Sequence, residues 1–217
     1  MRQAERTEKT YRKILLSAIE EFGRNGYDNT SINIICSKYE ISKGLIYHNF
    51  KNKDELYLCS VKECFEKLVI YLKNTELKDT EFSEVSCYEN IKRLLLLRQK
   101  FFEEYESYRN VFLGAILNPP KHLIKEVQII RKEYDDFNVD RFKELLKCLK
   151  LRKGVTEEMA ITYFLAYQEM FNCYFQNKIY KSNDLSVVGK EHDLKLLSIL
   201  DVMLYGIALE ENKSDKD

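Results

Sequence analysis

The ten residues ISKGLIYHNF (41–50) are too short to hold a helix alone and offer little to a hydrophobic core. Placed on a helix over 43–49, Ile46 and the following Phe50 lie four residues apart. They can then point into a small core with Phe22, Ile32 and Ile35. Lys43, Leu45, Tyr47, His48 and Asn49 are left at or near the surface, and Ser42 precedes the helix as its expected N-cap. Such a surface carries a cation, a hydroxyl, an imidazole and an amide, and no carboxylate.

The flanks explain how so short a helix is held. Upstream, Ile14, Leu15, Ala18, Ile19 and Phe22 recur as one apolar stripe, which predicts a helix from Thr10 that ends in GRNGY with Gly26 at its C-cap. NTSINIICSKYE follows, with Thr30 or Ser31 as cap and Ile32, Ile35 and Cys36 facing inward. Downstream, KNKDEL opens a longer helix, about 53–73, with Asn52 as cap and Glu55 three residues on. Two short helices joined by a tight turn, the second exposing donors at its start, make a helix-turn-helix layout. Its second helix can enter a major groove. Tyr47, His48, Asn49 and Lys53 suit phosphate oxygens, since each donates and none adds negative charge. Gly44 would allow the backbone to approach DNA closely. The same residues would also serve as the outer face of a plain helical bundle, with Tyr47 as half-buried packing.

The order of residues decides between these readings. KILLSAIEEFGRNGYDNTSINIICSKYEISKGLIYHNFKNKDELYL (13–58) resembles the N-terminal DNA-binding region of TetR-family transcriptional regulators. The resemblance rests on the first-helix pattern ending in Phe22, G-Y-x-x-T-S from Gly26 to Ser31, and Ile35 followed by the small Cys36. It continues through ISKG (41–44), Tyr47 and Phe50, and Lys53 with Leu56. It implies that helix 43–49 reads bases through Lys43 and Leu45, with Asn33 assisting from the preceding helix. Ser31, Gly44, Tyr47, His48, Asn49 and Lys53 complete the expected DNA-contacting set. Lysine suits guanine O6 and N7, and leucine a thymine methyl. It further implies a homodimer on a palindromic double-stranded operator, with recognition helices about one DNA turn apart. Two positions depart from the family's habit. Glu40 stands where glycine is usual, so a left-handed backbone there would be strained. Asn49 replaces the usual aromatic residue or histidine before the Phe.

Composition fits a folded, helix-rich chain of 217 residues, 45% hydrophobic, with only 7 glycines and 2 prolines. Formal net charge is zero, so no global basic field advertises nucleic acid; residues 1–60 hold 10 Lys and Arg against 8 Asp and Glu. The six cysteines are scattered without zinc spacing, the N-terminus lacks the apolar run of a signal peptide, and no stretch reaches membrane-spanning length. These features predict a cytoplasmic protein with reduced thiols, no cofactor and no membrane partner.

Beyond the polar break at 76–86, helices are expected at 84–106, 109–117, 121–150, 157–178 and about 190–210, with KSNDLSVVGK (181–190) as a loop. The fold class is therefore all-α, about nine helices: a helix-turn-helix domain over 1–52 and a helical ligand-binding and dimerisation domain over 53–217. YFLAYQEMFNCYF (163–175) packs aromatics around Gln168 and Glu169. Core or dimer packing accounts for any single one of these rings, whereas an apolar pocket with a few polar groups would suit a small-molecule effector. Its candidate lining is Tyr71, Gln99, Phe102, Phe112, Ile116, Tyr134, Phe137, Tyr167, Gln168 and Phe171, implying a largely apolar or aromatic ligand. The final helix is apolar on two faces and must bury both. Together with helix 157–178 it offers a two-fold interface through Tyr163, Tyr174, Leu197, Leu200 and Leu204. His48, His122 and His192 have no metal-binding spacing, and there is no phosphate-binding glycine loop, so nothing points to an enzyme. The expected function is a repressor released when ligand entry pulls helix 53–73 and shifts the recognition helices. The alternative is a DNA-binding or interaction module of the same fold that answers to a protein partner.

Overall fold

A computed structural model describes residues 3–78, 87–182 and 184–207. Among these are nine α-helices and no strand: α1 (Gln3–Asn25), α2 (Ile32–Tyr39), α3 (Lys43–Asn49), α4 (Lys53–Lys78), α5 (Cys87–Glu104), α6 (Glu106–Leu117), α7 (Ile124–Lys147), α8 (Glu157–Ser182) and α9 (Leu185–Ile207). A 3-10 turn at Lys121–Leu123 follows Pro120 and leads into α7. The chain divides into two compact units. One comprises Met1–Tyr71 and Lys100–Tyr134, the other Leu72–Gln99 and Asp135–Asp217.

Most helix boundaries shift by a few residues from the sequence reading, and three of the differences are instructive. α1 begins at Gln3 and not at Thr10, because its first two turns hold no helix breaker and Glu5 favours the positive end of the helix. Those turns carry no apolar stripe, so periodicity could not detect them. α4 continues past residue 73 to Lys78. KSNDLSVVGK is mostly helix: the Asp184 carboxylate accepts from the Val187 backbone N–H at 3.0 Å, and Val188 is buried. Asp184 therefore acts as a cap where it reads as part of a loop. Cys148 is disulfide-bonded, against the expectation of reduced thiols throughout, while Cys36, Cys59, Cys64 and Cys173 are free. The scattered spacing of the six gave no sign of pairing.

In the first unit the expected small core is present: Phe22, Ile32, Ile35, Ile46 and Phe50 are all buried with Ile14 and Ile19. Ser31 caps α2 through the Ile34 N–H at 3.2 Å, Ser42 caps α3 through Leu45 at 3.3 Å, and Asn52 caps α4 through Glu55 at 2.8 Å. Thr30 is not the cap. Its hydroxyl is turned inward and donates to the Gly26 carbonyl at 2.8 Å. The buried Glu21 carboxylate ties α1 to α2, accepting from Lys38 Nζ at 2.6 Å, from the Tyr39 hydroxyl at 3.3 Å and from Asn25 Nδ2. Three donors compensate its desolvation.

α1 also packs along α6. At Gly23 an added Cβ would stand 2.6 Å from the Ser107 carbonyl oxygen, so the two backbones meet where only glycine fits. A second tie lies at the start of α4. The Tyr27 hydroxyl donates to one Asp54 oxygen, and His122 Nε2, from the 3-10 turn, lies 3.3 Å from both that hydroxyl and the other Asp54 oxygen. Lys53 Nζ sits 4.0 Å over the Tyr27 ring. The hydrogen bond from Tyr27, assisted by His122, holds the Asp54 carboxyl below its ordinary range. Burial pushes the Tyr27 phenol up, and burial lowers the Lys53 ammonium.

In the second unit Phe142, Leu145 and Leu146 of α7 pack with Ala160 of α8 and with Leu200, Met203 and Leu204 of α9. Phe142 stacks on Phe164 at 4.2 Å. A polar strip adjoins: Arg98 pairs with Asp193 at 2.7 Å, and the buried His192 lies 3.3 Å from Asn172 Oδ1 and against the rings of Phe171 and Phe175.

Two outcomes follow from these ties. Gly23→Ala forces α1 and α6 apart and should cost about 1–3 kcal/mol in denaturant unfolding; an unchanged midpoint would show that this contact yields freely. Asp54→Asn should destabilise the protein at neutral pH. Because the folded pKa of Asp54 lies below the ordinary 3.8, its contribution is present above that value and lost as pH falls through the folded one. The gap between wild type and Asp54→Asn, measured by denaturant midpoint, should therefore close in acid; a gap constant with pH would contradict the pairing.

Candidate nucleic-acid interface

α3 presents the surface expected of it. Its anchors Ile46 and Phe50 are 0% and 2% exposed, which turns Lys43, Gly44, Leu45, Tyr47 and His48 outward. No carboxylate lies within α3. Lys43 Nζ stands 5.9 Å from the centre of the Tyr47 ring one turn later, so cation and phenol share one face. An added Cβ at Gly44 would meet nothing within 4 Å, so no contact within the protein demands glycine there. Asn33 is exposed at the first turn of α2.

Three expected contacts are already engaged inside the protein. The Ser31 hydroxyl caps α2. Asn49 Nδ2 donates to the Leu45 carbonyl at 2.8 Å, closing the last turn of α3. Lys53 is half-buried over Tyr27. Ser31 can still donate its hydroxyl proton while accepting, and Lys53 retains donors beyond its ring contact. Glu40 adopts φ 52° and ψ 48°, the left-handed conformation expected to be strained there, and its N–H closes α2 on the Cys36 carbonyl. Sequence reading missed Tyr27, Asp54 and His122, which together fix the start of α4 beside α3. Tyr27 and Asp54 stood within the family-like segment, but nothing in local spacing joins His122 to them.

The ten expected ligand-lining residues fall in both units. In the first, Phe112 touches Phe102 at 5.0 Å and Tyr134 at 5.2 Å, ring centre to ring centre, and all three are buried. Phe65 of α4, absent from the expected set, lies 4.7 Å from Phe112 and completes the cluster. Ile116 is buried in the same unit, and Tyr71 meets Phe101 at 5.2 Å. In the second unit Phe171 is buried against His192, Tyr167 packs on the main core and beside Tyr163, Phe137 is buried near Arg141, and Gln99 and Gln168 are half-buried.

The expected dimer residues need correction. Leu200 and Leu204 are each 7% exposed and belong to the unit's own core, so they cannot form an outer seam. The side chain of Leu197 lies outside the described residues. Tyr163 and Tyr174 do face outward, with Met159 and Met170 on the same side of α8, while Val187, Leu194 and Val202 form an exposed stripe on α9.

No described helix is long and apolar enough to cross a membrane. Residues 14–58 match the profile of bacterial regulatory proteins, tetR family. The chain is similar to the biofilm operon icaADBC HTH-type negative transcriptional regulator IcaR of Staphylococcus epidermidis, 27% identical over 135 residues. That match covers 62% of this chain and 66%, just under two thirds, of the relative. Among solved structures it is similar to a TetR-family regulator from Agrobacterium tumefaciens, with a TM-score of 0.62 at 15% identity over 94% of this chain and 100% of the other. It is also similar to the transcriptional regulator FadR from Bacillus subtilis in complex with stearoyl-CoA, with a TM-score of 0.60 at 16% identity over 87% and 98%. The capped helix-turn-helix that exposes α3 thus lies within the segment that matches the profile of bacterial regulatory proteins, tetR family, and the helical fold of the described residues is shared with solved structures of that family.

Proposed function

We propose that the chain is a sequence-specific DNA-binding repressor, released from a palindromic operator by a small, largely apolar or aromatic ligand. The observation that carries the reading is α3: a buried Ile46 holds it, and its outer face is a cation, a glycine, a leucine, a phenol and an imidazole. Lys43 and Leu45 lie at its start, where a recognition helix meets base edges. The repressor direction is supported by the IcaR relative, which is named a negative regulator. A ligand is supported by the fold's likeness to a regulator solved with stearoyl-CoA and by the aromatic richness of both units. Release requires that the ligand bind two arrangements of the protein with different affinity.

The homodimer of this reading uses α8 and α9. Met159, Tyr163, Met170 and Tyr174 run along one side of α8, and Val187, Leu194 and Val202 along one side of α9. The two helices pack on each other within the unit. Exposed apolar stripes on paired helices suit a second copy of the same surface, as a two-fold interface requires.

Binding to the duplex upstream of the chain's own coding sequence, compared with a scrambled duplex, tests the DNA reading. Lys43→Ala should lose about 1–3 kcal/mol of discrimination between the two; equal discrimination would remove α3 from base reading. Met170→Glu with Leu194→Glu should convert the dimer to monomer in sedimentation while leaving the helical spectrum intact. A dimer that survives both changes would place the interface elsewhere.

A further inference from the structure

We propose that the first turns of α1 form a second DNA-contacting surface, in which Arg6, Lys9 and Lys13 hold the phosphate backbone beside the groove that α3 enters. The inference rests on the DNA-binding reading of α3 and extends the contact to a part of the chain that the family profile, beginning at Ile14, does not cover. Arg6, Lys9 and Lys13 recur at i, i+3 and i+7 and so share one face of α1. All three are exposed, and none has an ion-pair or hydrogen-bond partner among the described residues. Arg12, on another face of α1, shows the contrast: its guanidinium is bound to Glu63 at 2.7 Å.

The position of this face gives it a ligand class. Arg6, Lys9 and Lys13 line one surface depression together with Glu40, Ile41 and Leu45, so the cations border the recognition helix itself. Three positive charges there meet one carboxylate, Glu40, and the depression is basic although the whole chain is neutral. From Arg6 to Lys13 the helix rises about 10 Å, long enough for its flexible cations to reach more than one phosphate of a strand. Long, flexible cations continuous with a groove-reading helix fit phosphate oxygens, which fix register and carry no sequence information.

The test is the salt dependence of binding by the full chain carrying Arg6→Gln, Lys9→Gln and Lys13→Gln together. Each lost phosphate contact reduces the slope of log affinity against log salt by about 0.9. A fourfold rise in salt should therefore weaken the wild type roughly 40-fold more than the variant, per bound subunit. The loss should be equal on the upstream duplex and on a scrambled one, and thermal unfolding should be unchanged. A variant with the wild-type slope overturns the inference and leaves the α3 reading standing. A loss confined to the upstream duplex overturns it too, because phosphate contacts are blind to sequence. A wild type that binds neither duplex at low salt removes the DNA reading itself, and this inference with it.

Discussion

The first unit depends on one close approach, that of the α1 backbone at Gly23 to the α6 backbone at Ser107. α1 supplies Ile14, Ile19 and Phe22 to the core on which α2 and α3 rest, so whatever fixes α1 fixes α3. A methyl group in that gap would displace main chain rather than a pliable side chain, and packed interiors absorb such shifts poorly. The Tyr27–Asp54–His122 contacts reinforce the arrangement from the opposite end of the motif, joining the turn after α1, the first turn of α4 and the segment after the two prolines. A seven-residue helix with one fully buried side chain is stable here because its neighbours are held from two directions.

How much of this was legible in the sequence varied with the kind of signal. The helix-turn-helix was readable because its punctuation is chemical: Ser31, Ser42 and Asn52 are caps by residue type, and Ile46 and Phe50 have no alternative orientation that buries both. The start of α1 was not readable, because a helix polar on all sides shows no period. α9 was misjudged for the opposite reason. Leu194, Leu200 and Leu204 are the same residue type on different faces, and only packing against Phe142 and Leu145 tells that the last two are interior. The aromatic set was half-legible: Phe102, Phe112 and Tyr134 do converge, yet their centre includes Phe65, whose place follows from tertiary contacts alone.

The charge distribution carries a similar lesson. A formal net charge of zero argues against a field that draws nucleic acid from a distance. The proposed recognition of DNA rests instead on local arrangement. Several acidic side chains around the motif are engaged within the protein, with Glu21 bound by three donors, Asp54 held by Tyr27 and His122, and Glu55 turned back to the Lys51 backbone N–H. Sequestered carboxylates leave the outward face cationic without any excess of lysine and arginine.

Glu40 is the exception, an exposed carboxylate that shares a surface depression with Leu45 of α3 and the one non-glycine residue with positive φ among those described. A left-handed backbone costs an ordinary residue about 1–2 kcal/mol, and Glu40 bears that cost at the turn between α2 and α3. The turn therefore holds latent stability that a single codon change can release. In a genetic selection for suppressors of destabilising lesions in the first unit, position 40 should recur, and glycine or asparagine should be what replaces the glutamate.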